Sequence, residues 1–274
     1  MAGSLKPPFG YFGGKTTLAP QISELLPPHD HYVEPFAGSL AVLLAKKPTK
    51  LETVNDLDGY LVTFWRVLRD QPEELERLCA LTPHSRQEFE ECKMLDASGD
   101  LEMARQVWTV LTQGRRKSLE NSSAWITERK ASVGLSRSVY LQRYVGRFAP
   151  VAARLESVGI ESRDALDVIA DYGSEPGVCI YADPPYLGST RHKGYRLEML
   201  ADDLHVKLAE RLRACRASVV LSGYASDLYE DLYPGWHRME LKAPAKLSGA
   251  AAENEVLWSN VPLAAQQAFD FGGI

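Results

Sequence analysis

The sequence predicts an α/β protein with a doubly wound, mainly parallel sheet that a mainly helical segment interrupts. Two short apolar runs, at residues 178–182 and 218–221, are bounded by turn residues, as buried central strands are. Strand and helix patterns alternate at both ends of the chain, whereas the middle shows helical patterns only. We therefore predict one sheet domain from residues 1–61 and 149–274, with residues 62–148 as an inserted subdomain.

The other elements are predicted from the spacing of apolar residues and from the residues that start and stop helices. In chain order they are a helix at 17–26, a strand at 31–34, a helix at 40–45, a strand at 51–54, a helix at 57–69, a helix at 203–213 and an antiparallel pair of strands at 238–241 and 255–258. Ser39 is predicted to cap the second of these helices, because its hydroxyl can accept a hydrogen bond from the first turn.

The composition excludes several classes of protein. With 45% hydrophobic and 24% charged residues among 274, the chain can bury a core as ordinary globular proteins do. No apolar run approaches the roughly 18 residues of a membrane-spanning helix, and residues 1–10 lack the apolar segment of a signal peptide. The four cysteines show no C-x-x-C spacing. An intracellular protein with reduced thiols and no metal is expected.

Charge is distributed unevenly along the chain. The net charge of −5 argues weakly against nucleic acid as a partner, but residues 105–147 carry nine Lys or Arg and only two acids. Such a stretch suits phosphate binding, although a solvated helix face would have the same charge. The candidate DNA contacts in it are Arg115, Arg116, Lys117 and Arg137. The aromatic side chains there are predicted to be core rather than base-stacking; they are Trp108, Trp125 and Tyr144.

The sequence Asp183-Pro184-Pro185-Tyr186 follows the predicted strand at 178–182, where open α/β sheets place their active sites. An exocyclic amine on a base is a poor nucleophile, because its lone pair is delocalised into the ring. The Asp183 carboxylate and the Pro184 carbonyl could each accept one amino hydrogen, which would orient that lone pair toward a methyl donor. Tyr186 offers a ring on which an extruded base could stack, and two prolines keep the loop rigid. A plain strand-to-loop turn is the alternative.

A second turn joins a strand to a helix at Glu34-Pro35-Phe36-Ala37-Gly38. Gly38 would let a ligand approach the backbone, and the absence of G-x-G-x-x-G means that the ligand need not carry a pyrophosphate. Asp56 ends the next predicted strand, where an acid can bind ribose hydroxyls. A plain turn glycine and a helix cap are the alternatives for Gly38 and Asp56.

Residues 11–16, Tyr-Phe-Gly-Gly-Lys-Thr, contain the last part of a P-loop motif. The spacing fails, because the motif needs glycine where Phe9 stands, and no strand precedes it. A P-loop phosphotransferase is therefore disfavoured.

These motifs, in this order, resemble the amino-type DNA adenine-N6 methyltransferases that have their cofactor motifs first and the D-P-P-Y motif last. The resemblance covers residues 7–60 and 158–260. It implies a seven-stranded methyltransferase sheet, S-adenosylmethionine as cofactor and the transfer of its methyl group to N6 of a flipped adenine in DNA. Cofactor binding is implied for Tyr11, Gly13, Gly14, Lys15, Glu34, Pro35, Phe36, Gly38, Asp56, Asp164 and Asp183, and catalysis for Asp183, Pro184, Pro185 and Tyr186.

The resemblance also has consequences for partners. Double-stranded DNA is the expected substrate, the insert is expected to hold it, and no membrane or obligate protein partner is implied. The loop at residues 187–195 is expected to close over the flipped nucleotide through Arg191, Lys193 and Tyr195. The expected compartment is the cytoplasm of a bacterial or phage-infected cell, at the nucleoid. N4-cytosine methylation, RNA methylation and a catalytically silent binding protein remain alternatives. Tyr11 stands where Trp is common, and the recognition sequence does not carry over.

Overall fold

A single sheet organises the part of the chain that the computed structural model describes, residues 4–120, 123–128, 136–187, 196–197, 199, 201–242 and 254–264. Its seven strands within these residues are β1 (His31–Glu34), β2 (Leu51–Asn55), β3 (Val158–Glu161), β4 (Val178–Ala182), β5 (Ser218–Tyr224), β6 (His237–Leu241) and β7 (Glu255–Ser259). They lie in the order β3-β2-β1-β4-β5-β7-β6. The predicted mainly parallel α/β sheet is confirmed: only the pairings of β7 with β5 and with β6 are antiparallel.

The helices precede, connect and cover the strands. Over the described residues they are α1 (Ala19–Leu25), α2 (Ala41–Ala45), α3 (Gly59–Asp70), α4 (Pro72–Leu81), α5 (Arg86–Cys92), α6 (Asp100–Gln113), α7 (Arg137–Val145), α8 (Phe148–Leu155), α9 (Ala165–Tyr172), α10 (Asp202–Arg213) and α11 (Asp227–Leu232). In that part of the chain no helix has the length and apolar character to cross a membrane.

The strand order changes direction between β1 and β4. From β1 the chain moves outward through β2 to β3, and from β4 it moves to the other side through β5. Because the crossovers leave this point in opposite directions, a crevice opens beyond the carboxyl ends of β1 and β4, where doubly wound sheets bind ligands. All five residues of β4 are buried, as expected of a central parallel strand with both faces covered.

Between β2 and β3 the chain is helical, as predicted. Helices α3 and α6 pack against each other, and the indole of Trp108 on α6 is fully buried and donates to the carbonyl of Pro8. Phe64 on α3 meets Phe9 and Phe148 edge to face. These helices therefore share one apolar core with the sheet. The predicted boundary at residue 62 lies inside α3, and a separate inserted subdomain stays a prediction.

Two details of the sequence-based elements are corrected. Ser39 does not cap α2: the N-cap position is Leu40, in a left-handed conformation with φ 55°, without a capping side chain. Ser39 is buried after the turn at Gly38. The Ser39 Oγ packs against Gly14, so closely that a Cβ on Gly14 would lie only 3.0 Å from it. Helix α3 begins at Gly59, two residues later than predicted, because the Asp58 carboxylate accepts the Tyr60 backbone N–H and caps it. Trp108 is core, as predicted, whereas Trp125 and Tyr144 are only partly buried against that core.

Candidate active site

A cavity of about 300 Å³ occupies the crevice at the carboxyl ends of β1, β2 and β4. This is the lower end of the size range for small-molecule sites. All the residues predicted to hold the cofactor line it, namely Tyr11, Gly13, Gly14, Lys15, Glu34, Pro35, Phe36, Gly38, Asp56, Asp164 and Asp183. Pro185 also lines the cavity, whereas Pro184 and Tyr186 do not. The lining residues thus come from segments far apart in the sequence, from Tyr11 to Leu204.

A positive φ explains the glycine that ends the turn at residues 34–38. Gly38 has φ +48°, and a Cβ there would lie 3.4 Å from the ring of Tyr11. Its carbonyl accepts the Trp65 indole N–H at 3.0 Å, which fixes the turn to α3. Any other residue at Gly38 would be strained at this positive φ, and its Cβ would be in van der Waals contact with the ring that borders the cavity.

Lys15 joins the N-terminal turn to the motif after β4. Its side chain is 6% exposed, and its Nζ lies 2.7 and 2.8 Å from the two carboxylate oxygens of Asp183. It also donates to the carbonyl of Gly13 at 3.1 Å. Burial raises the pKa of Asp183, and the nearby Lys15 charge opposes that rise. Lys15 therefore acts on the predicted catalytic carboxylate as well as lining the cavity.

Tyr186 is 7% exposed. Its hydroxyl contacts Asp183 Oδ1 at 3.1 Å and a second carboxylate, that of Glu255. Its ring packs edge to face on Tyr224, with 4.6 Å between centroids, and the Lys15 Nζ lies 4.8 Å from its centroid. A flipped base could stack on this ring only after neighbouring side chains had moved, so its stacking role stays a prediction.

Two further carboxylates make the cavity wall acidic. Glu34 is 3% exposed and accepts the Tyr32 hydroxyl at 2.9 Å, and burial raises its pKa to about 8. Asp56 accepts the backbone N–H groups of Gly38 and Asp58, and burial raises its pKa to about 6. A cation in the cavity would favour the ionised form of both groups. The wall therefore fits S-adenosylmethionine, which carries a sulfonium and an ammonium group beside a ribose.

Three residues at this site were not predicted from the sequence. Glu255 opens β7, and its neighbour Ser222 on β5 donates a hydrogen bond to it. Arg196 forms a bidentate pair with Asp58 at 2.8 Å for both contacts, next to Leu197 and Met199 in the cavity wall. Ser222 was predicted only as the end of the strand after the D-P-P-Y motif, and Glu255 only as the start of a strand.

The predicted DNA contacts lie in a turn near the N-terminal motif, at the start of α7, or outside the described residues. The backbone around Gly114 pairs antiparallel with that around Trp125, and Arg115, Arg116 and Lys117 are exposed in this turn. The Lys117 carbonyl accepts the Phe12 N–H at 2.9 Å, which places the basic turn against the N-terminal motif. Arg137 begins α7 and lies over the Tyr140 ring. Arg191, Lys193 and Tyr195 lie outside the described residues.

Comparison with known proteins agrees with this geometry. Residues 11–112, less than half of the chain, match the family model described as D12 class N6 adenine-specific DNA methyltransferase. The chain is also 24% identical to the Type II methyltransferase M1.LlaDCHI of Lactococcus lactis subsp. cremoris over 286 aligned residues, which cover 94% of this chain and 96% of the relative. Together with the ordered motifs and the cavity that they form, these similarities identify the chain as an S-adenosylmethionine-dependent, N6 adenine-specific DNA methyltransferase.

Proposed function

We propose that the enzyme methylates an adenine flipped out of double-stranded DNA, and that Asp183 and Pro184 hold the N6 amine during transfer. The observation that carries this proposal is the position of Asp183. Its carboxylate forms part of the same cavity wall as the turn at Glu34–Gly38 and Asp56. A group that holds the amine and the groups that hold the methyl donor are then within one small space, which reduces the entropic cost of the reaction.

The proposed mechanism is direct transfer to the amine. S-Adenosylmethionine supplies the electrophilic methyl group when it is bound. The Asp183 carboxylate accepts one hydrogen of the N6 amine and the Pro184 carbonyl accepts the other, which orients the nitrogen lone pair toward the cavity. Because burial raises the pKa of Asp183, this carboxylate is a suitable acceptor for the proton that the amine loses. No covalent enzyme intermediate is needed, since the amine itself is the nucleophile.

The remaining cavity residues are proposed to hold the methyl donor. The Tyr11 ring and the turn at Gly38 would enclose one side of it, and Asp56 would accept hydrogen bonds from the ribose hydroxyls. Asp164, at the N-terminus of α9, is proposed to lie near the cofactor adenine. The Glu34 carboxylate would balance positive charge on the methionine part of the molecule.

DNA is proposed to bind over the basic turn at residues 115–117 and the helical segment 62–148. Arginine contacts phosphates more often than bases, so Arg115 and Arg116 are expected to contribute mainly salt-dependent affinity. Their closeness to the N-terminal motif supports a path from the duplex to the cavity. Arg191 and Lys193, in the loop after the catalytic motif, are proposed to contact the flipped nucleotide. The purified chain is expected to need no protein partner.

The proposal is tested by incubating the purified protein with labelled S-adenosylmethionine and unmethylated genomic DNA, followed by nucleoside mass spectrometry. N6-methyladenine is expected in duplex DNA, and sequencing the methylated positions would give the recognition site. The same assay on single-stranded DNA and on RNA provides the comparison. Faster methylation of either of these would contradict duplex DNA as the substrate, and N4-methylcytosine as product would contradict adenine as the target.

A further inference from the structure

Two buried carboxylates share one ammonium group at the proposed catalytic centre. Lys15 Nζ pairs with Asp183 at 2.7 Å and lies 3.8 Å from Oε1 of Glu255, whose side chain is 6% exposed. The Tyr186 hydroxyl contacts the same Glu255 oxygen and Asp183 Oδ1. Glu255 therefore touches both groups that hold the Asp183 carboxylate.

The position of Glu255 follows from the direction of its strand. The parallel strands β1, β4 and β5 end at the cavity edge of the sheet, whereas β7 runs the opposite way and begins there. The first residue of β7 is Glu255, opposite Tyr224 on β5 and Leu241 on β6. At the other end of β7, the Asn260 side chain bonds the backbone of Ala217 and Val219, which fixes the register. The fold thus delivers a carboxylate to the site from a strand that the motifs do not include.

The Glu255 carboxylate changes the charge balance around Asp183. During transfer, positive charge moves from the sulfur of the donor to the amine nitrogen. A carboxylate stabilises that charge less when an ammonium group already neutralises it. With Asp183 and Glu255 both ionised, their two negative charges face the single positive charge of Lys15, so the group keeps a net negative charge in a buried setting. The positive charge of the bound donor favours that ionised state.

We propose that Glu255 is a positioning residue for methyl transfer: it shares the Lys15 ammonium and fixes the Tyr186 hydroxyl, so that Asp183 keeps negative charge toward the target amine. The proposal rests on the catalytic role proposed for Asp183. Ser222 supports Glu255, because its hydroxyl donates to the same oxygen from β5. In Glu255→Gln the side-chain shape is kept, but Glu255 no longer shares the Lys15 charge with Asp183.

The test compares kcat and KM for Glu255→Gln and wild-type enzyme on duplex DNA, with the unfolding temperature measured for each. We expect kcat to fall about 10- to 100-fold, as for the loss of a charged hydrogen-bond partner, with KM for DNA and for S-adenosylmethionine changed less than about threefold. Ser222→Ala removes one hydrogen bond to Glu255 and should lower kcat by a smaller factor with the same KM values. Because Ser222→Ala leaves the charges unchanged, it provides the kinetic test if Glu255→Gln does not fold.

Glu240→Gln on the neighbouring strand β6 is the matched control, because Glu240 is exposed and pairs with Arg238 away from the cavity. Its kcat should equal that of wild type. A kcat for Glu255→Gln within about twofold of wild type, or a loss that appears only in KM, would overturn the proposal. Asp183→Ala separates the two hypotheses: full activity in that variant overturns the role of Asp183 itself, whereas its inactivity beside a normal Glu255→Gln overturns the role of Glu255 alone.

Discussion

Two clusters of buried charge on this sheet differ in the sign of their net charge. The first, the cavity cluster, consists of Lys15, Asp183 and Glu255, with one positive group between two carboxylates. The second, the Glu52 cluster, consists of Glu52 on β2 with Lys46 and Arg154, so that two positive groups surround one carboxylate. The side chains of both clusters are 15% exposed or less.

The pKa shifts follow this difference in pairing. Burial alone would raise the pKa of Glu52, but hydrogen bonds from Arg154 and Lys46 outweigh it and the pKa is lowered. Burial also raises the pKa of Asp183 and of Glu255, and there the single Lys15 does not reverse the shift. Burial therefore does not distinguish the carboxylates at the cavity from the carboxylate of Glu52, whereas the direction of the pKa shift does. The cluster with an excess of negative charge borders the cavity, and the cluster with an excess of positive charge does not.

The largest expected effect is on catalysis, at Asp183→Ala. Transfer should fall by about 10³-fold or more, because the group that orients the amine and accepts its proton is lost. The fold should persist, since Glu255 remains beside Lys15. Single-turnover transfer to duplex DNA measures the first effect, and the unfolding temperature measures the second.

Asp203→Ala serves as the matched control for Asp183→Ala. This aspartate is exposed on α10, and its partner Lys207 is also on the surface. It should leave transfer unchanged. Normal turnover in Asp183→Ala would show that the cavity cluster is structural after all, and the contrast between the two clusters would fail.

The second prediction concerns stability, at Glu52→Gln. Removing the Glu52 carboxylate, which Lys46 and Arg154 share, should cost about 3–5 kcal/mol of unfolding free energy, because two buried positive groups lose this counter-charge. Urea unfolding measures the loss, and kcat per folded molecule should not change. If Glu52→Gln unfolds in urea with the midpoint and slope of wild type, the two cations reach water and the cluster is not buried in solution.

The same contrast shows what the sequence could predict. Many residues around the cavity lie in turns with strong local sequence signals, such as the glycine at Gly38 and the prolines after Asp183. The sequence therefore predicted both these turns and the edge of the sheet at which they meet. Glu255 was not predictable, because a single glutamate at the start of a strand has no local signal. Its role depends on β7 running antiparallel to β5, which is a property of the whole sheet.

The prediction that Ser39 caps α2 was wrong for a related reason. Capping preference treats the residue before a helix as a local matter, but here the turn is fixed by contacts from distant segments. The Trp65 indole holds the Gly38 carbonyl, and Gly14 packs against Ser39. Leu40 adopts a left-handed conformation as a result. Tertiary contacts around the cavity thus override the local preference at the position where the binding turn meets its helix.

A smaller effect is expected at Glu34→Gln, and it should depend on pH. The pKa of Glu34 is raised to about 8 by burial, so its contribution to stability is present at low pH and is lost as pH rises toward 8. The variant should gain on the order of 1 kcal/mol over wild type at pH 8.5 and less at pH 5.5. Unfolding midpoints at the two pH values measure this. An equal gain in stability at both pH values would show that burial does not raise the pKa of Glu34 in the folded enzyme.

The smallest effect is expected at an ion pair outside both clusters, Lys50 with Asp30. The pair has an N–O distance of 2.9 Å, similar to the buried pairs, but the two side chains are 78% and 69% exposed. Water and salt screen such a pair, so Lys50→Ala should change the unfolding free energy by less than about 0.5 kcal/mol and leave kcat unchanged. The measurement is made in the same urea series as Glu52→Gln, at low and high salt. A loss comparable to that of Glu52→Gln would mean that distance between charges, rather than burial and charge balance, decides what an ion pair contributes in this protein.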